Sequence, residues 1–113
     1  MTRVTFKWTG DGRIRGFTVT GHAGFAEKGE DLICAGISAV TFTGLNALIE
    51  VAGFEPVYAI DAETAQVECF LPEDLPEVQF HIAQVILATV RIGFLGIAAE
   101  NSEYLQVIDE RGE

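Results

Sequence analysis

The chain has 113 residues, of which 49% are hydrophobic, and its 17 acidic and 7 basic residues give a formal net charge of -10. This length supports one compact domain with one hydrophobic core over residues 1–113, and the apolar fraction excludes a disordered chain. Binding to a phosphate backbone usually requires a basic face. The charge therefore disfavours direct nucleic-acid binding and favours a basic partner, although acidity can also serve solubility alone.

The hydropathy of the chain predicts neither a secretory signal nor a membrane span. The first residues, MTRVTFKWTGDGR, alternate polar and apolar and lack the continuous apolar run of a secretory signal, so we expect a cytoplasmic protein. Residues 78–99 are apolar enough to be tested as a membrane span, but His81, Gln84 and Arg91 interrupt them. We expect a buried helix there and no membrane association.

The first elements along the chain are strands. Alternating apolar residues predict a strand over residues 4–8 and another over 14–20, with residues 9–12 as the turn of a hairpin. Gly16 breaks the alternation of the second strand, which indicates a β-bulge.

A helix and a second hairpin follow. Apolar residues recur at helical spacing over residues 32–52, with Asp31 as the expected N-cap and Gly53 as the expected C-cap. Strands are then predicted over residues 57–60 and 66–71.

The last elements are a long helix and one strand. Pro72 and Pro76 precede the helix, which should end near Glu100, and residues 104–108 can form a final strand. The order ββαββαβ has no βαβαβ rhythm. It predicts an α+β fold with a largely antiparallel sheet and two helices packed on it.

One His and one Cys stand out as a candidate reaction centre. If Asp31 is the N-cap, Cys34 is the third helical residue, where unpaired N–H groups and the helix dipole favour a thiolate. His22 ends the second strand, and the loop of residues 23–30 is long enough to bring its imidazole to the sulfur. An imidazole beside a thiol is how cysteine nucleophiles are activated at neutral pH.

Two other interpretations of the same residues stay open at this point. A cysteine is often buried as a small hydrophobe, and a His beside Gly often only ends a strand. A zinc site could use His22, Cys34, Cys69 and His81, but the short paired spacings of structural zinc sites are missing. Cys69 and His81 are most simply core or boundary residues.

The region around Cys34 resembles the signature of the ribosomal-processing cysteine protease Prp family. The resemblance extends to chain length, element order and the closing run SEYLQV at residues 102–107. The matching residues are Gly21-His22-Ala23, Gly29, Asp31-Leu32-Ile33-Cys34-Ala35 and Ser38-Ala39. It implies a bacterial endopeptidase that removes the short N-terminal extension of the precursor of a large-subunit ribosomal protein, number twenty-seven. It also implies a homodimer and no metal or organic cofactor.

The resemblance carries specific roles to individual residues. His22 matches the catalytic histidine and Cys34 the nucleophile, while Gly21, Asp31 and Ser38 match the motif as supporting or substrate-binding residues. We expect N–H groups of the first helical turn, including that of Cys34, to stabilise the oxyanion.

The resemblance also implies a substrate pocket, and the sequence differs from the family pattern at one residue. The loop of residues 23–30 is expected to act as a lid, with Phe25 as a possible wall of a hydrophobic pocket. Gly36 stands where the family more usually has Ala, and Gly inside a helix lowers stability by about 1 kcal/mol relative to Ala.

The alternative to a protease is a non-catalytic, acidic ribosome-assembly factor that binds a basic ribosomal protein.

Overall fold

A computed structural model describes residues 1–21 and 28–112, with side chains for residues 1–21 and 32–112. The order of elements in this part of the chain is ββαββαβ, as predicted. The elements are β1 (Thr2–Trp8), β2 (Ile14–Thr20), α1 (Lys28–Glu50), β3 (Val57–Asp61), β4 (Gln66–Phe70), α2 (Glu77–Glu100) and β5 (Leu105–Arg111).

The described strands form one sheet in the order β3-β4-β2-β1-β5. Neighbouring strands are antiparallel except β1 and β5, which are parallel. Alternate residues of the central strands, such as Val4, Phe6 and Phe17, join buried residues of both helices in one core. The predicted α+β fold, with a largely antiparallel sheet and two helices on it, is confirmed.

The predicted bulge lies in the first hairpin, beside Gly16. Lys7 pairs with Gly16 but Trp8 pairs with Ile14, so Arg15 has no opposite residue on β1. A Cβ atom on Gly16 would overlap the carbonyl oxygen of Cys69 on β4. Glycine is therefore required by the close approach of two backbones.

The start of α1 differs from the prediction. The helix begins at Lys28, so Asp31 lies inside it and is not its N-cap, and residues 28–30 belong to the helix and not to the loop. Acidic residues are favoured near the start of a helix as well as at its N-cap, so the residue type of Asp31 does not distinguish the two positions. At the other end, α1 stops at Glu50, and Gly53 has the positive φ of +81° expected of a residue that terminates a helix.

Polar side chains tie α2 to the sheet. The Gln84 amide pairs with the backbone of Ile14: Nε2 donates to the carbonyl oxygen and Oε1 accepts from the N–H, both at 2.8 Å. The Arg91 guanidinium donates to both carboxylate oxygens of Asp109, with Nε 2.9 Å from Oδ1. Two of the three residues that interrupt the apolar run thus hold the helix in place.

One side of α2 is buried and the other is exposed. Ala83, Leu87, Val90 and Phe94 are buried, whereas His81 is exposed, so the prediction that His81 is a core or boundary residue is wrong. By length and composition alone, Leu32–Glu50 and Glu77–Glu100 could cross a membrane, which is weak evidence because core helices pass the same test.

The two helices approach each other through glycines. A Cβ atom on Gly44 would lie 2.7 Å from Cγ2 of Val90, and one on Gly93 would lie 3.3 Å from Cγ1 of Val40. A Cβ atom on Gly36 would meet only Cδ1 of Ile97, at an ordinary 3.6 Å. Close packing therefore requires Gly44 but not Gly36.

We predict opposite effects of alanine at these two helical glycines. Gly36→Ala should raise the free energy of unfolding by up to about 1 kcal/mol, because alanine loses less backbone entropy and fits the space. Gly44→Ala should lower it by about 1–2 kcal/mol, since the β-branched Val90 cannot move aside cheaply. Urea unfolding followed by circular dichroism measures both, and a destabilised Gly36→Ala variant would contradict the packing.

The Arg91–Asp109 pair predicts a loss of stability in acid. Arg91, and then the Trp8 indole N–H, hold the pKa of Asp109 below its usual value. A carboxylate with a lowered pKa stabilises the fold at neutral pH, and this contribution disappears as the pH falls below about 4. Asp109→Asn should therefore cost roughly 1–3 kcal/mol at pH 7 and weaken the acid dependence of unfolding. Glu103→Gln, on an exposed turn, serves as the control and should change neither.

Candidate active site

A cleft of about 130 Å³ opens at one end of the sheet, between α1 and the strand ends. It forms where β1 begins, β2 ends and β4 is about to begin, and we call it the Cys34 cleft. Its lining residues are Thr2, Val19, Gly21, Cys34, Ile37, Ser38 and Ala65.

The buried side of α1 determines where Cys34 lies relative to the cleft. Ile37 is buried against the sheet, and the Thr41 hydroxyl donates to its carbonyl oxygen at 2.7 Å. Cys34 and Ser38, one helical turn apart, lie on either side of Ile37 in the sequence. Cys34 is half-buried and Ser38 is exposed, so both are placed at the rim between core and solvent.

Gly21 shapes the strand side of the cleft. Its φ of +82° is the left-handed conformation that glycine adopts without strain. A Cβ atom at this position would also overlap the carbonyl oxygen of Met1. The Thr2 hydroxyl donates to the Gly21 carbonyl oxygen at 3.5 Å, which links the start of β1 to the end of β2.

The structure brings together three of the predicted site residues: Gly21, Cys34 and Ser38 all line the cleft. His22 and Phe25 lie outside the described residues, as do residues 23–27 of the predicted lid and the side chain of Asp31. Their roles stay predictions.

The position of Cys34 within the helix corrects one expectation. Because α1 begins at Lys28, Cys34 is its seventh residue and not its third. The backbone N–H of a seventh helical residue is already used by the helix itself, since only the first four N–H groups lack an intrahelical acceptor. The expected oxyanion donor from Cys34 is therefore wrong, and the dipole effect on its thiol is weakened.

Cys69 has an environment unlike that of Cys34. It is 1% exposed in the core, and burial raises the pKa of its thiol to about 12. The prediction of Cys69 as a core residue is confirmed. It cannot share a zinc site with the exposed His81 without leaving the core. The side chains described for residues 1–21 and 32–112 contain no group of three or more His, Cys, Asp or Glu that could hold a metal ion.

Sequence reasoning did not identify Thr2, Val19, Ile37 or Ala65 as cleft residues. Val19 and Ile37 belong to segments with periodic apolar residues, and this periodicity predicts only that they are buried in the core. Ala65 has a φ of 56°, which nothing in its residue type indicates. These residues meet only because the sheet places distant segments side by side.

A larger cleft of about 300 Å³ lies at the opposite end of β1 and β2. Its lining residues are Lys7, Trp8, Arg15, Phe70, Glu110, Arg111 and Gly112. None of these residues is Cys, Ser or Thr, whereas the Cys34 cleft contains a thiol.

A half-buried thiol in a cleft that is open to solvent is a group that can act as a nucleophile, as cysteine does in cysteine hydrolases. The family model described as cysteine protease Prp matches residues 1–106. The ribosomal processing cysteine protease Prp of Bacillus subtilis is 36% identical over 107 residues, which cover 95% of this chain and 96% of the relative. The chain therefore belongs to the Prp family and is a cysteine protease.

Solved structures of relatives have the same fold. The crystal structure of an essential ribosomal processing protease Prp from S. aureus in complex with a substrate peptide has a TM-score of 0.86 and 25% identity, covering 97% of this chain and 100% of that chain. The same S. aureus protease in complex with a covalently linked product peptide has a TM-score of 0.84, 26% identity and the same coverage.

The two thiols should differ sharply in reactivity. We predict that iodoacetamide modifies Cys34 in the folded protein between pH 7 and 9 while Cys69 stays unmodified, because alkylation requires an accessible thiolate. Cys69 is not accessible because it is buried, and its thiol stays protonated in this pH range because its pKa is about 12. Peptide mass spectrometry locates the label, and Cys69→Ala is the control that should leave it unchanged. Comparable labelling of both cysteines in the folded state would contradict this assignment.

Proposed function

We propose that this protein removes the short N-terminal extension from the precursor of the large-subunit ribosomal protein number twenty-seven, in the cytoplasm. The observation that carries the proposal is the placement of Cys34 in a solvent-open cleft of a Prp-family fold. The names of the B. subtilis and S. aureus relatives connect that fold with ribosomal processing.

Cys34 is the proposed nucleophile and His22 the proposed base and acid. The imidazole takes the thiol proton, and the sulfur attacks the carbonyl carbon of the scissile peptide bond. When the C–N bond breaks, His22 gives its proton to the leaving amine, and a thioester remains on Cys34. Water then attacks the thioester, with His22 accepting a proton from the water and returning one to the sulfur, which releases the carboxylate product.

Three observations support this route. A covalently linked product peptide in the S. aureus relative is what covalent catalysis leads one to expect of that protein. Burial of Cys69 removes the competing thiol. His22 directly follows Gly21 in the sequence, and Gly21 lines the same cleft as Cys34.

The oxyanion needs a donor other than the Cys34 N–H. Ser38 is exposed one turn further along α1 and lines the same cleft. Its hydroxyl is the donor that we assign to the developing negative charge, because a preorganised hydrogen bond at that point lowers the barrier most.

Two carboxylate residues lie close in sequence to a residue that lines the cleft. Asp61 ends β3 and Glu63 lies on the turn that leads to Ala65. Together with the net charge of -10, they favour a basic substrate such as a ribosomal protein.

The test is to incubate the protein with the precursor from its own host and to read product masses. Cys34→Ala should abolish cleavage yet remain folded, because one sulfur at a half-buried position contributes little packing. His22→Ala should slow cleavage by about 10²–10⁴-fold through loss of acid–base catalysis. Cys69→Ala, the matched control, should cut at nearly the normal rate.

Two outcomes would overturn the proposal. Cleavage by Cys34→Ala at the normal rate would remove Cys34 from the chemistry. Tight binding of the precursor by the wild-type protein without any cleavage would favour the non-catalytic assembly factor for this substrate.

A further inference from the structure

The larger cleft at the other end of β1 and β2 is basic, although the chain as a whole is acidic. We call it the Trp8 cleft, and its volume of about 300 Å³ is that of a small-molecule site. Three of the seven basic residues of the chain line it with one acidic residue, so the lining has a net charge of +2 in a chain of net charge -10. The four charged residues are Lys7, Arg15, Glu110 and Arg111. A local charge of this sign favours an anionic ligand.

The β-bulge in the first hairpin places one of these cations at the cleft. Arg15 is the residue of β2 without an opposite residue on β1, and bulges commonly redirect a side chain beside a functional site. Arg15 is exposed and has no ion-pair partner among the side chains of residues 1–21 and 32–112, whereas Lys7 lies 2.8 Å from Glu110. The Arg15 guanidinium is therefore available for two parallel hydrogen bonds to a phosphate.

A flat surface borders the same cleft. The Arg111 guanidinium lies 4.0 Å from the centre of the Trp8 ring, and the indole N–H of Trp8 donates to Oδ1 of Asp109 at 2.9 Å, which fixes the plane of the ring. Phe70, half-buried on β4, adds a second ring to the lining. Nucleobases stack on aromatic rings and on guanidinium planes. The cleft thus combines a site for a phosphate with a surface for a base.

The charge outside the cleft favours a single nucleotide over a longer strand. A polynucleotide needs a track of cations, but without the +2 of the cleft the rest of this chain has a net charge of -12 and repels further phosphates. A nucleoside monophosphate has one phosphate, whose charge of about -1.5 to -2 near pH 7 balances the charge of the lining. It also has the planar base that inorganic phosphate lacks.

We propose that the Trp8 cleft binds a nucleoside monophosphate, with its phosphate on Arg15 and Lys7 and its base stacked against Arg111 and Trp8. The cleft shares no lining residue with the Cys34 cleft. The proposal goes beyond peptide cleavage and does not depend on it, so either can fail alone.

Fluorescence of the full chain tests the site, because Trp8 is the one tryptophan in the sequence. Titration with adenosine monophosphate should change the Trp8 emission to a plateau, with a dissociation constant below about 1 mM. Arg15→Gln should raise this constant at least about 10-fold, because it removes the unpaired cation. Arg3→Gln is the matched control: Arg3 is an exposed arginine of β1 outside the cleft lining. Its substitution should raise the constant less than about twofold, since salt screens a distant charge.

A second variant tests the stacking. Arg111→Lys keeps the positive charge but loses the plane of the guanidinium. Isothermal titration calorimetry should show adenosine monophosphate binding weakened at least about fivefold by this change, and the weaker binding of inorganic phosphate unaltered.

Four outcomes would overturn the proposal. The first three are no saturable response to adenosine monophosphate, equal effects of Arg15→Gln and Arg3→Gln, and wild-type affinity for the nucleotide in Arg111→Lys. The fourth is inorganic phosphate that binds as tightly as the nucleotide. Affinity that rises with the length of a single-stranded RNA would instead assign the cleft to RNA and overturn the proposal equally.

Discussion

The position of the Cys34 cleft depends on the packing of three phenylalanines in the core. Phe6 of β1 and Phe17 of β2 stack with ring centroids 5.5 Å apart, and Phe94 of α2 lies 6.1 and 6.0 Å from them. All three are fully buried, and together they hold α2 over the centre of the sheet. Because α1 packs on α2 through Gly44, the place of Cys34 relative to the end of β2 follows from this cluster.

Hydrogen bonds from two polar side chains of α2 fix the orientation of this helix on the sheet. The amide of Gln84 satisfies the backbone of Ile14 where the β-bulge disturbs the strand pairing, and Arg91 satisfies Asp109 near the other side of α2. Such anchors orient the helix about its own axis, because each hydrogen bond is lost when the helix rotates. The same orientation leaves Val85 and Ile92 exposed on the outward side of the helix.

The candidate site shows how far residue types alone can lead. Cys34, Gly21 and Ser38 were predicted from a motif with defined spacing, and the structure places them around one cleft. Thr2 and Ala65 could not be found in this way, since neither carries chemistry and each comes from a different part of the chain. Their contribution is shape, which arises only when strand ends are brought next to α1.

The sequence by itself determined the order and type of the elements, because periodicity is a local property: alternate burial makes strands, and a repeat near 3.6 residues makes helices. It did not determine where α1 begins, since an acidic residue such as Asp31 suits both a cap and a first turn. Only the tertiary structure decided that β5 runs parallel to β1 and that the side of α2 bearing Val85 and Ile92 is left exposed. Both are matters of contact between segments far apart in the chain, and no local pattern encodes which neighbour a strand or a helix face will meet.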